Sequence, residues 1–400
     1  MYVRLGGAIV VVVVVVAALT TTALADSSDE AAGAPAEPPP APITPAPTGV
    51  VAPVPMDIDL PTTPKFTWEP YGYLRLQYLM VQNDPNVIFV GRDDGFELQN
   101  ARIGVRGKLL DRMRYVLAFE GAVDERAQVN TTDGKLKVGL KDAYADVVLS
   151  GQVFARAGFF ETLVDPNLEG DTAREFVDKP LESRGMRATE GYQTAGLPPG
   201  RSLGAALRLE HEGVTTASAL GFELAVQNGA DEYASNNDND TPAVSLSALV
   251  KLPKDGYVVA SGRFNRRTVG QVQALMNEDD LQGSVGARIV GGPVAFGAGV
   301  VVQRTSFPTT GGPVQNAYGA HAQLAVRIDG ALPIAVGYRF GILDPSSLIL
   351  TDRVMEHTVG AVMAVPAYRM RVQLQATHVV EQGARTLSND RVQLAAEVSL

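Results

Sequence analysis

The chain has 400 residues, 46% of them hydrophobic, with no cysteine and a formal charge of −10 at pH 7. That length accommodates one large barrel or two or three soluble domains. The missing cysteines exclude a disulfide framework and any Cys-liganded metal centre, and nothing in the sequence suggests a nucleic-acid partner.

The first 25 residues read as a secretory signal. Arg4 supplies a positive start, Ala8 to Leu19 an apolar stretch, and Ala23-Leu24-Ala25 a small-residue cleavage pattern before Asp26. The apolar stretch would rise only about 18 Å as a helix, short of a hydrocarbon core of roughly 30 Å, which disfavours an uncleaved anchor. Residues 26–65 are rich in proline and alanine, as in Pro38-Pro39-Pro40-Ala41-Pro42. Such a segment cannot bury a core and is expected to be a disordered periplasmic linker rather than a dedicated protein-binding motif.

Residues 66–400 are expected to form a transmembrane β-barrel. From Tyr71 to Leu400 sixteen apolar-alternating runs are joined by links that alternate long and short, and the last run ends at the C-terminus. This rhythm predicts an all-β fold, a 16-stranded antiparallel barrel with short periplasmic turns and long extracellular loops. The second run is the clearest. Ala101, Ile103, Val105 and Leu109 share one face, and Arg102, Gly104, Arg106 and Lys108 the other. Because side chains alternate with period two, the first set meets lipid and the second the lumen. A one-residue slip would turn three cations to lipid, at roughly 2–4 kcal/mol each near the midplane. A soluble sandwich also alternates, but it does not require sixteen runs with alternating link lengths. Tyr115 and Tyr368 at the short-turn rim, with Phe159 and Phe340 at the long-loop rim, form a thin aromatic girdle.

A barrel of this size has a water-filled interior, so a channel for small hydrophilic solutes is the default function. The inward cations are Arg75, Arg102, Arg106, Lys108, Arg114, Arg156, Arg208, Lys251, Arg263, Arg288, Arg327, Arg339, Arg369, Arg371 and Arg391. The inward acids are fewer: Glu120, Asp142, Asp146, Glu210, Glu223, Glu356 and Glu397. Cationic walls with low-dielectric backing concentrate anions, so an anion preference is expected. Arg–carboxylate networks inside the barrel, or acidic loops at the mouth, would instead leave the pore weakly selective.

The run Phe96-Glu97-Leu98-Gln99-Asn100-Ala101-Arg102-Ile103-Gly104-Val105-Arg106-Gly107 resembles the phosphate-selective porin O and P family. The likeness continues through Tyr115 to Glu120, Asp142 to Asp146, Ala155 to Phe160 and Arg174 to Leu181, reaching about Glu210. The resemblance implies a sixteen-stranded porin of the Gram-negative outer membrane, usually a homotrimer, whose third outer loop folds inward to constrict the pore. That loop corresponds to residues 161–201, the longest link. Within it Arg174, Lys179, Arg184 and Arg187 are candidates to face the solute, with Glu169, Asp171, Glu175 and Glu182 as acidic competitors. The expected partners are outer-membrane lipid and small anionic or neutral solutes, and the solute itself stays open.

Other chemistries are weaker readings. Gly200-Arg201-Ser202-Leu203-Gly204 matches a serine-nucleophile pattern, but a strand follows it where a helix is required. His211, His321, His357 and His378 lack metal-ligand spacing and an evident triad. Asn236-Asn237-Asp238-Asn239-Asp240 and Asp231-Glu232 are oxygen-rich, yet their spacing does not suit a calcium loop. No catalytic residue, metal or cofactor is expected. The remaining alternatives to a selective porin are a non-selective pore, a plugged barrel with a structural or adhesive role, and, less favoured, a barrel enzyme.

Overall fold

The computed structural model describes residues 66–92, 94–110, 112–122, 138–212, 219–229, 236–270, 274–383 and 386–400. The signal and linker expectations for residues 1–65 lie outside the described residues, as do Asp231 and Glu232.

Sixteen antiparallel strands close into one barrel. They are β1 (Phe66–Val81), β2 (Gly95–Leu109), β3 (Met113–Glu120), β4 (Gly139–Ser150), β5 (Val153–Phe160), β6 (Ser202–Glu212), β7 (Ala219–Gln227) and β8 (Ala243–Leu252). The second half comprises β9 (Gly256–Val269), β10 (Met276–Gly291), β11 (Val294–Ser306), β12 (Gln315–Ile328), β13 (Ile334–Asp344), β14 (Val354–Val365), β15 (Met370–Glu381) and β16 (Arg391–Ser399). Closure runs from Tyr73↔Ser399 to Val81↔Arg391, and the Leu400 amide donates to the Gly72 carbonyl at 2.9 Å. With no open seam along this ladder, backbone donors and acceptors are satisfied without water, as a strand-built membrane protein requires.

The alternation read from sequence sets the faces. Ile103, Leu117, Leu207, Leu224, Leu246, Leu324, Leu374 and Leu394 are exposed on the outside, whereas Arg75, Glu120, Gln282, Arg339, Gln375 and Glu397 are buried within the barrel. The long-short rhythm persists with one change. The β9–β10 ladder continues to Val269↔Met276, so a link expected to be long shrinks to residues 270–275. Extra pairing there is favoured because Arg266 and Asp279 stand opposite one another on the outer face, with Arg266 Nε donating to Asp279 Oδ1 at 2.6 Å. Arg369 also departs from its expected place on the wall. It occupies a left-handed position (φ 48°) after the turn Pro366–Tyr368, at the exposed short-turn rim. Phe159 keeps its outer parity opposite Ala143 and Leu203 but is buried there, while Tyr115 stacks on Phe66 at the short-turn rim.

The lumen is not empty. Residues 161–201 fold inward and carry a one-turn helix, α1 (Leu181–Arg184), and a small ladder pairing Gly185–Met186 with Thr194–Ala195. The alternation makes a direct prediction. Leu246 lies mid-strand on the outer face, 55% exposed, so Leu246→Arg should cost roughly 2–4 kcal/mol in folding equilibria measured by denaturant titration into lipid vesicles.

Candidate functional site

The inner loop sits on a wall shaped for it. Leu163 and Leu168 pack on Leu249, Tyr257 and Val259, and Leu181 and Met186 pack on Leu343, Val354 and Val379. All of these wall residues occupy lumen parity, where a solvated pore would carry polar side chains. Glycines at the same parity make room for the loop backbone. A Cβ at Gly286 would collide with the Pro166 carbonyl, one at Gly319 with the Glu182 side chain, and one at Gly337 or Gly360 would press on the Phe176 ring. Polar contacts complete the seat. Tyr257 Oη accepts from the Leu168 amide at 2.9 Å, Ser261 Oγ donates to the Leu163 carbonyl at 2.5 Å, and Ser284 Oγ donates to the Val164 carbonyl at 2.6 Å.

Most wall arginines in this half of the barrel are committed to the loop. Arg75 donates to the Asp171 carbonyl at 2.5 Å and pairs with Glu397. Arg288 holds Glu169 and, at 2.6 Å, Glu175, which Arg327 also reaches at 2.8 Å. Arg339 donates to the Asp178 carbonyl at 2.9 Å while its guanidinium lies over the Phe176 ring. Arg371 binds the Thr172 and Arg174 carbonyls. Glu356 accepts from Arg391 at 2.8 Å and from the loop's own Arg184 at 2.6 Å, and Arg184 also binds Glu190 at 2.8 Å.

These pairings decide the fate of the four loop candidates. Arg174, Arg184 and Arg187 are buried in the seat, Arg174 against Asp171, Arg184 in the Glu190–Glu356 network and Arg187 on Glu97 at 3.0 Å. Lys179 lines open space instead, 3.7 Å from Asp165. That space is a cavity of about 320 Å³ between the loop and the β2–β4 side of the wall. Its charged rim holds Arg102, Lys141, Lys179 and Arg201 with Glu161, Asp165, Glu169 and Asp171. Lys141 escaped the sequence reading because it is the extra residue of a bulge. Leu140 opposes Phe119 and Asp142 opposes Ala118, leaving Lys141 unmatched. A break of alternation around Lys141 is the only signal that could have found it.

Nearer the short turns a second cavity, of about 440 Å³, is lined by Arg106, Lys108, Arg114, Arg156 and Arg208 with Glu69, Asp146 and Glu210. Arg156 chelates Asp146 at 2.7 and 3.0 Å above the Tyr144 ring, Arg208 pairs with Glu223 at 3.1 Å, and Arg114 lies over Phe154. Arg263 and Lys251 keep the lumen parity of β9 and β8, with Lys251 exposed. Arg266 and Arg304 point outward near the long-loop rim, positions the charge reading did not include.

Elsewhere, Ser202 Oγ donates to the Asn228 carbonyl, so the serine-nucleophile pattern is a strand start. His321 pairs with Glu182 of the loop, a partner invisible to sequence spacing, and His357 bonds Tyr338 Oη at 2.7 Å on the outer face. Asn237 Oδ1 accepts from the Gly229 and Asp238 amides, making its segment a turn. Among the described residues no group of three metal-ligating side chains converges.

Residues 73–248 match the family described as phosphate-selective porin O and P. The match runs from β1 into β8 and covers less than half of the chain. No curated protein sequence matches the chain. Among solved structures, the anion-selective porin from Comamonas acidovorans aligns with TM-score 0.58 at 13% identity, covering 84% of this chain and 100% of that one. The outer membrane channel DcaP of Acinetobacter baumannii gives 0.56 at 11% identity, covering 84% and 97%. OmpT of Vibrio cholerae in its trimer form gives 0.56 at 11% identity, covering 84% and 99%. At these identities the structures establish the shared barrel fold, and with the family match they make the chain a channel-forming porin of the Gram-negative outer membrane.

The loop's electrostatics predict how firmly the barrel holds it. Burial alone would raise the Glu190 carboxyl, but Arg184, Arg391 and Arg187 hold it well below the usual carboxylate range. A depressed folded value means the stabilisation is present above the ordinary pKa and is lost only when pH falls through the depressed one. Glu190→Gln should therefore loosen the loop, at roughly 3–5 kcal/mol for breaking a buried pair, and expose residues 161–201 to trypsin in the folded porin. Acidification of the wild type to about pH 4, near the ordinary Glu value, should not reproduce this through Glu190. Gly286→Val should also lift the loop, read as a larger single-channel conductance in planar bilayers.

Proposed function

We propose that this porin admits small hydrophilic solutes by passive diffusion past the inner loop, with a modest preference for anions, and that it works as a homotrimer without enzymatic activity. The observation carrying the preference is the short-turn cavity, whose rim presents five cations against three acids. Apolar backing strengthens their field relative to bulk water, and the field raises the local concentration of anions. The cations that pin the loop, such as Arg75, Arg288 and Arg339, contribute less because they are buried against it. The short-turn cations line open space, although Arg106, Arg114, Arg156 and Arg208 also have carboxylate partners. Arg106, Lys108, Arg114, Arg156 and Arg208 are therefore assigned as the main anion-contacting residues of the wall, and Arg102 and Lys179 as those of the constriction. The anion-selective porin among the solved structures supports the same sign. Assembly as a homotrimer rests on the trimeric form of one structural neighbour and on the family match.

The test is a KCl gradient across a planar bilayer containing the purified porin. The reversal potential should show chloride moving more easily than potassium, and Arg106→Ala with Arg114→Ala should bring the ratio toward unity. A potassium preference would reject the anion reading, and an absence of stepwise conductance would favour a plugged barrel.

A further inference from the structure

We propose that His357 and His378 form a binding site for a divalent transition-metal ion on the outer face of the barrel, near its long-loop rim. The site lies outside the lumen and does not rest on the channel reading above. Each histidine stands three residues from the long-loop end of its strand, His357 in β14 and His378 in β15. Spacing along the chain hides the pair, but the strand register sets the two directly opposite one another, with ring centres 6.3 Å apart and planes inclined by 29°. A ring nitrogen about 2.1 Å from zinc puts its ring centre about 3 Å from the ion, so one ion spans this gap.

Both rings are oriented by their outer neighbours. On one side Asp390 lies 2.8 and 3.0 Å from His378 Nδ1. A carboxylate only accepts, so the neutral ring carries its proton on Nδ1 and keeps a lone pair on Nε2. On the other side the Tyr338 hydroxyl lies 2.7 Å from His357 Nδ1 and can accept from it in the same way, while Phe340 packs on that ring at 5.2 Å. Tyr338, His357, His378 and Asp390 thus make one row across β13, β14, β15 and the start of β16. The two nitrogens of an imidazole point to nearly opposite sides of the ring. With both Nδ1 atoms engaged at the ends of the row, both Nε2 atoms turn toward the gap between the rings. Such a bond to the far nitrogen is how proteins fix the tautomer and orientation of a metal-binding histidine. The pair supplies two protein ligands, and water fills the other positions, since the His378 side chain is 62% exposed. Imidazole selects zinc, nickel or copper, whereas calcium and magnesium prefer oxygen ligands.

Calorimetric titration of zinc chloride into the full chain, folded in detergent, should show one ion bound per chain, with calcium and magnesium failing to compete. His357→Asn and His378→Asn should each abolish that binding. Asp390→Asn leaves both rings in place and should weaken zinc about tenfold, because the ring loses the carboxylate that raises its basicity. Copper gives a spectroscopic reading that needs no variant: its electron paramagnetic resonance spectrum in the wild type should show coupling to two nitrogens. Heat-dependent mobility in gel electrophoresis checks that each variant is folded. Zinc binding that survives removal of both histidines would overturn the proposal. So would loss of binding in only one of the two single variants, or a wild-type copper spectrum with a single coupled nitrogen.

Discussion

Everything inside this barrel depends on the burial of arginines against carboxylates and carbonyls supplied by one inward loop. Arg75, Arg288, Arg339 and Arg391 are almost fully removed from solvent. An isolated guanidinium there would carry a desolvation cost of several kcal/mol. The loop offsets that cost residue by residue, through Asp171, Glu169, Glu175, Asp178 and the Glu190–Glu356 network. Wall and loop are complementary: the wall would be a poor interior without the loop, and the loop would have no fixed conformation without the wall. Such mutual dependence specifies one conformation of the loop, because a shift by one residue would leave several buried charges unpaired at once.

This arrangement changes what a count of wall charges means. An excess of cations at lumen parity reads from sequence as an attractive field for anions. In three dimensions many of these cations hold structure, while the sector along β2–β6, away from the loop's apolar seats, presents several of them to water, as do Lys251 and Arg327 elsewhere on the wall. The division follows from packing. Where the wall carries Leu249, Val259, Leu343, Val354 and Val379, the loop covers it and water is excluded. Where the wall carries Arg106, Lys108, Arg114 and Arg208 on a surface with no loop upon it, cavities remain.

The barrel itself was legible because its determinant is local. Alternation along each strand fixes which side chains face lipid, and the penalty for error is large enough to be written into nearly every run, as Ala101 to Leu109 show. The inward loop was legible only by its length and by its likeness to the family. Its anchoring was not, since Arg184 with Glu356 and His321 with Glu182 pair residues more than a hundred positions apart. The sequence did carry a trace of the seat, in the glycines and aliphatics that interrupt the polar face of β8 to β15. Gly286, Gly319, Gly337 and Gly360 at lumen parity mark where another backbone approaches. Treated as exceptions to a polar lumen they are noise, but taken together they outline the loop's footprint.

The same reasoning separates residues that shape the pore from those that tune it. A residue that anchors the loop does so through contacts on the covered side, and its loss moves backbone. Arg391, fully buried between Glu356 and the loop, is of this kind. A residue that tunes selectivity must reach the open side while the backbone near it is held by something else. Lys141 lines the cavity from its bulge, and the β3 pairings of Leu140 and Asp142 hold the backbone on either side of it. The inner loop thus keeps its shape on buried contacts with the wall, while the charged side chains on the cavity rim stand apart from them.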